Sequence, residues 1–198
     1  MSSIAIDIIL TLPEHIQEEI INLNKWLTGS KDAFLQNSIN CIPHITILMG
    51  CVEESNIPEL EIRLWQLSWK LKWLHIESLW IEKFTLPDGN LWPYVAIAES
   101  KELQYLYDSV IDILRPLMHY NVQREHFAVP EDINNITLEW TIRNTKKAKW
   151  APFHPHISIG IGDMATTEYS RSFGAKWIGI YQIGNYCTCR KELFSLNF

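Results

Sequence analysis

The sequence is poor in three things. It has four cysteines in 198 residues, Cys41, Cys51, Cys187 and Cys189. Their spacing makes no disulfide framework, and Cys187 and Cys189 stand too close for an unstrained bridge. A reduced, cytoplasmic setting is therefore expected. Long hydrophobic runs are also missing. Residues 4–10 are apolar, but Asp7 interrupts them and no cationic segment precedes them, which suits neither a signal peptide nor a membrane span. No membrane partner is expected. Positive charge is the third shortage: 17 Lys and Arg stand against 23 Asp and Glu, a net charge of −6. Proteins that grip long duplexes neutralise phosphates with a basic face. The acidic balance speaks against duplex DNA and for a small nucleotide or a short RNA. The local exception, Lys146-Lys147-Ala148-Lys149, reads first as a solvated loop and only second as a phosphate-steering patch. No low-complexity tract is present, and the length allows one sizeable domain or two small lobes, expected to be monomeric.

What the chain does have is a phrase written twice. Pro43-His44-Ile45-Thr46-Ile47 is echoed by Pro155-His156-Ile157-Ser158-Ile159, with Gly50 and Gly160 following. In a strand, residues i and i+2 leave on one face. Each phrase thus presents an imidazole and a hydroxyl together and turns its isoleucines to the other side. One histidine on an apolar strand would read as a core residue. Two at equivalent places in two similar halves point to a shared site.

The surrounding pattern repeats as well. Residues 4–10 read as a buried strand. A helix opens at Pro13, carries Ile16, Ile20, Leu23 and Leu27, and stops at Gly29. The first histidine phrase follows as a strand over 43–49, then a helix with Leu60, Leu64, Leu67, Leu71 and Leu74, then a strand over 75–85. Pro87-Asp88-Gly89-Asn90 is a turn. Beyond it come a strand over 92–98 and a helix with Leu103, Leu106, Val110, Ile113 and Leu117. A polar insertion of about 120–150, with a short helix near 136–145, precedes the second phrase, a strand over 155–161. A short helix near 164–173 and strands over about 177–186 and 190–198 complete the reading. The expected fold class is α+β: one domain over 1–198 with a bilobal, duplicated architecture. Two antiparallel sheets with flanking helices would be related by a pseudo-two-fold axis. The approximate lobes are 1–88 and 89–198, with terminal strands free to cross between them, and the active-site groove lies between the lobes.

On His44-Ile45-Thr46 and His156-Ile157-Ser158, the chain resembles the two-histidine (2H) phosphoesterase superfamily. That superfamily includes 2′-5′ RNA ligase-like proteins and cyclic nucleotide phosphodiesterases. The resemblance implies that His44 and His156 act as general acid and base and that Thr46 and Ser158 bind the phosphate oxygens. It implies no cofactor and no metal. The chemistry agrees, since reaction at phosphorus needs one proton taken and one given, and two imidazoles titrating near neutrality supply both. The substrate would be a 2′,3′-cyclic phosphate, a 2′-5′-linked oligonucleotide or a cyclic oligonucleotide defence signal. A non-catalytic nucleotide-binding module is the alternative. Where many relatives place arginine two before the second histidine, this chain has His154, read as a rim residue or a phosphate contact. Trp92, Tyr94, Trp150 and Tyr181 are candidates to stack a base. His154 and His156 with Cys187 and Cys189 offer donors suited to zinc, but that reading leaves His44 and the repeat unexplained.

Overall fold

The structure, a computed structural model, describes residues 2–29, 36, 37, 39, 41–71, 74–147, 152–175 and 177–197. Four helices are formed: α1 (Glu14–Lys25), α2 (Ile57–Ser68), α3 (Lys101–Leu114) and α4 (Asn135–Thr145). Eight strands accompany them: β1 (Ser3–Thr11), β2 (His44–Glu53), β3 (Leu74–Thr85), β4 (Leu91–Ile97), β5 (His156–Ser158), β6 (Thr167–Ala175), β7 (Trp177–Ile183) and β8 (Cys189–Asn197). Local chemistry explains the boundaries. Pro13 precedes α1, where its missing N–H costs nothing. Ser100 and Asn134 cap α3 and α4 by accepting from Leu103 N at 3.1 Å and Thr137 N at 2.8 Å.

The α+β class is borne out, but the two expected sheets are one. The strands form a single eight-stranded antiparallel sheet in the order β6-β3-β4-β5-β2-β1-β7-β8. The join is the pairing of β2 with β5 at Ile45 and Ile157, the residues that directly follow the two histidines. β3 from the first half lies beside β4, and β7 and β8 from the second half extend the sheet outward from β1. The last element before β7 also differs from the reading. Tyr169 and Phe173 are both buried and stand four apart, which fits a helix as well as a strand. Pairing with β3 settles it: residues 167–175 form the edge strand β6. Helix α2 ends at Ser68, so Leu74 belongs to β3.

The two faces of the sheet have different tasks. Ile4, Ile6, Ile8 and Leu10 of β1 share one core with Ile45 and Ile47 of β2, Ile157 of β5 and the apolar stripes of α1, α2 and α3. Ala5, Met49 and Cys51 look the other way, into a second cluster with Val122, Phe127 and Ile133 of the insertion. A bulge in the β1–β2 ladder skips Ile47, which moves all later residues of β2 to the opposite parity. As a result Met49 and Cys51 follow His44 and Thr46 onto the insertion's face. All four cysteines are free and buried. Among the described residues no helix is long and apolar enough to cross a membrane.

Ile157 is fully buried at the join, and β5 is only three residues long. Ile157→Ala removes apolar volume from the core that both sides of the sheet share. It is expected to destabilise the fold by about 2–5 kcal/mol, the usual range for such truncations, read by denaturant unfolding. A loss under about 1 kcal/mol would mean that the join is not needed for stability.

Candidate active site

The antiparallel register at Ile45 and Ile157 sets His44 across from Ser158 and Thr46 across from His156. Cross-strand neighbours of this kind have Cβ atoms about 4.5–5.5 Å apart. All four side chains line one groove of about 230 Å³, together with Phe84, Trp92, Trp140, Lys147, His154 and Tyr186. The larger groove of about 700 Å³ between α2 and α3 holds none of these residues.

Each histidine is held in the same way. His44 Nδ1 lies 2.7 Å from Ile42 O, and His156 Nδ1 lies 3.1 Å from His154 O. A carbonyl only accepts, so both Nδ1 atoms carry a proton and Nε2 is the working nitrogen of each ring. The surroundings then separate the two. His44 Nε2 is 3.5 Å from Asp7 Oδ2, a carboxylate with no solvent exposure. Burial opposes charge on His44, but the Cys189 sulfur and the Asp7 carboxylate outweigh it and hold His44 well above the ordinary histidine value. Burial also pushes the Cys189 thiol up. At neutral pH that thiol carries no charge, and the Asp7 carboxylate is the anion beside His44. His156 is held below the ordinary value by burial, by the Lys147 ammonium and by His44. Its ring is exposed to the groove, so the two cations are the firmer cause. The surroundings thus drive the pair apart, His44 toward the imidazolium and His156 toward the neutral imidazole.

The hydroxyls differ as well. Thr46 Oγ1 donates to Asp7 Oδ2 at 2.6 Å, whereas Ser158 Oγ accepts from Trp92 Nε1 at 3.2 Å. Asp7 stands two residues before Ile9, the partner of Thr46. Trp92 stands two residues before Tyr94, the partner of Ser158. Equivalent positions on β1 and β4 thus carry an acceptor behind one hydroxyl and a donor behind the other. Ser158 keeps its proton to give to a ligand, while the proton of Thr46 is engaged by Asp7.

One wall of the groove is aromatic. Trp92 packs edge-on against Trp140 with centroids 5.0 Å apart, and near-parallel to Phe84 at 6.1 Å. Tyr186 joins them at 6.0 Å from Trp92. Tyr186 and Cys187 both have φ of 55°, a left-handed conformation costly for these residue types. It is held by Tyr186 N donating to Thr137 Oγ1 at 2.6 Å. Helix α4 of the insertion thus supplies Trp140 itself and, through Thr137, the seat of Tyr186.

The structure brings His44, Thr46, His156 and Ser158 to one groove. Trp92 and Lys147 also line the groove, so Lys147 leaves the solvated-loop reading. Tyr94 sits edge-on to His156 at 5.5 Å. His154 pairs with Glu99 at 2.9 Å on the rim. Tyr181 is a correction: it is buried with Ile9, Ile42 and Cys189 and donates to Glu192. Trp150 and Lys149 lie outside the described residues. Of the four proposed zinc donors, Cys189 instead lies 3.6 Å from His44 Nδ1. Sequence reasoning missed Trp140, Tyr186 and above all Asp7. A lone carboxylate inside a buried apolar run has to be partnered, and that signal was available.

No family model matches the sequence, and no curated protein matches it. Solved structures do share its fold. TT0787 of Thermus thermophilus aligns over 98% of this chain and 97% of its own with a TM-score of 0.58 at 10% identity. A protein described as a phosphoesterase aligns over 100% and 99%, TM-score 0.53, at 13% identity. LigT of E. coli in complex with phosphate gives the same coverage and TM-score at 12% identity. LigT has also been solved with ATP, NADP+ and 3′-AMP.

Replacing Asp7 by Asn removes the charge that favours the His44 cation. The His44 ring should then titrate at lower pH by NMR. There is also a consequence for stability. A raised folded-state value means that His44 stabilises the fold fully below the ordinary value near pH 6.5. That contribution is lost as pH rises through the raised value. Asp7→Asn should flatten this dependence, and an unchanged His44 titration would remove Asp7 from the account.

Proposed function

We propose that this chain is a two-histidine phosphoesterase that opens 2′,3′-cyclic phosphates or 2′-5′ linkages in nucleotides and short oligonucleotides. The observation that carries the reading is the pair of histidines on adjoining strands, each held through Nδ1 by a backbone carbonyl, that line one groove with Thr46 and Ser158. Neutral His156 takes a proton from water as the water attacks phosphorus. His44, charged through Asp7, gives its proton to the departing ribose oxygen. Ser158 and Lys147 meet the non-bridging oxygens, where charge develops. Thr46 serves with them from its place on Asp7. Both proton transfers are filled by side chains, so no metal step is needed. The aromatic wall of Trp92, Trp140 and Tyr186 suits a base. In support, the fold is shared with a protein described as a phosphoesterase and with LigT, whose ligands are phosphate and nucleotides.

His44→Ala and His156→Ala should each lower kcat by about 10²–10⁴-fold, the usual worth of a general acid or base, on a panel of 2′,3′-cyclic nucleotides and 2′-5′ dinucleotides. The rate should be bell-shaped in pH, its acid limb set by His156 and its alkaline limb by His44. Asp7→Asn should draw the alkaline limb inward. Trp140→Ala should raise KM more than it lowers kcat. If both histidine variants turn over as fast as the parent, the reading fails. Tight nucleotide binding without turnover in the parent would mark a binding module instead.

A further inference from the structure

A second cluster of chemistry-bearing side chains lies on the same face of the sheet, away from the groove. Cys51 is on β2, His119 follows the end of α3, and His126 closes a short turn in the insertion. One ligand atom from each lies within 4.8 Å of the others. Cys51 Sγ is 3.2 Å from His126 Nδ1, and the two imidazoles meet edge to face with centroids 5.4 Å apart. We propose that Cys51, His119 and His126 bind a divalent transition metal of the zinc class and thereby tie the insertion to β2.

The donors fit that ion. Thiolate and imidazole suit zinc, whereas magnesium and calcium take oxygens. Zinc–ligand bonds of about 2.0–2.3 Å place tetrahedral donors about 3.3–3.6 Å apart, close to the 3.2 Å between Cys51 Sγ and His126 Nδ1 and reachable by small side-chain shifts for His119. The backbone is fixed beforehand. His119 N donates to Cys51 O at 3.0 Å, and Met118 bridges to Val52. The turn at Arg124–His126 is closed by Phe127 N donating to Arg124 O at 3.1 Å, and Arg124 Nε donates to Ile133 O at 2.9 Å.

Two polar atoms point to a missing partner. His119 Nε2 is buried without a hydrogen bond, and so is Glu53 Oε2. Buried polar atoms are rarely left so. Glu53 stands two residues beyond Cys51, on the same side of β2, and is the natural fourth ligand, directly or through water. His126 Nδ1 now accepts from Gln123 N at 3.1 Å. Metal binding there exchanges that bond for a coordinate one and returns an exposed residue's N–H to water. A nucleophilic Cys–His pair is the rival reading. Cys51 has no exposed surface, which suits an enclosed ligand better than a nucleophile that must meet a substrate.

Cys51 is seven residues beyond His44 on β2, roughly 20 Å at about 3.3 Å per residue. This site is therefore separate from the proposed catalytic one. Its position explains its use. It holds the chain where the insertion leaves α3, and that insertion continues to α4, Trp140 and Lys147.

The test is Co²⁺ and Zn²⁺ titration of the metal-stripped full chain, free of any activity assay. One equivalent of Co²⁺ should bind with a thiolate charge-transfer band, be displaced by Zn²⁺ and raise Tm. Cys51→Ser should abolish the band. His126→Ala, and His119→Gln at a half-buried position, should weaken binding about tenfold or more while leaving a folded chain. Cys189→Ser, which alters the sulfur beside His44, should keep the band. Failure to bind at micromolar metal overturns the proposal, as does binding without a thiolate band. So does a band that survives Cys51→Ser or is lost with Cys189→Ser, since the ion would then sit among Asp7, His44 and Cys189.

Discussion

The pairing of Ile45 with Ile157 is the contact on which the rest depends. It is an antiparallel pairing between two strands that are otherwise distant in sequence, and it falls one residue after each histidine. The register alone makes a four-residue site, because alternation turns both isoleucines into the core and both histidines and hydroxyls into the groove. A slip of one residue would turn these side chains onto the other face. Fully buried isoleucines on one side thus fix the polar geometry on the other. Binding energy for a ligand need not be spent on assembling the site, since the core has already done so.

Symmetry brings the four groups together, and departures from symmetry tell them apart. Two identical histidine sites would give two histidines with the same proton affinity, which is poor for a reaction needing one donor and one acceptor. The chain resolves this one layer back, on β1 and β4. An acidic residue behind Thr46 favours charge on His44, an indole takes its place behind Ser158, and Lys147 and His44 itself disfavour a second cation at His156. The cost is a buried carboxylate in the central strand, with one oxygen shared by Thr46 and His44 and the other, Oδ1, without a hydrogen bond. Buried charges left partly unsatisfied are expensive, so the pairing with His44 and Thr46 offsets only part of the cost of burying Asp7.

Much of this was legible in the sequence for a physical reason. The histidine phrases, the apolar stripes of α1 and α3 and the turn at residues 87–90 are local signals, and local signals survive the loss of tertiary information. What was not legible was decided at a distance. Residues 164–173 read as a helix because Tyr169 and Phe173 fit both periods, and only pairing with β3 chooses between them. The single sheet was hidden because edge pairing between β2 and β5 leaves no mark on composition. Tyr181 and Tyr94 look alike in sequence, yet Tyr94 sits against the His156 ring and Tyr181 is buried with Ile9, Ile42 and Cys189. The cluster of Cys51, His119 and His126 was invisible because a one-residue bulge at Ile47 decides which face Cys51 occupies.

The exchange of outer strands has a consequence for how the chain comes into being. On its outer side β1 is paired only with β7, and β7 in turn with β8. While a ribosome is still making the first hundred residues, β1 and β2 have each other but neither has its second neighbour. One edge waits for the second histidine phrase and the other for the last strands. The hairpins β1–β2 and β3–β4 therefore cannot be completed in order of synthesis, and each keeps open strand edges, the usual template for unwanted association, until β5, β6 and β7 have been made.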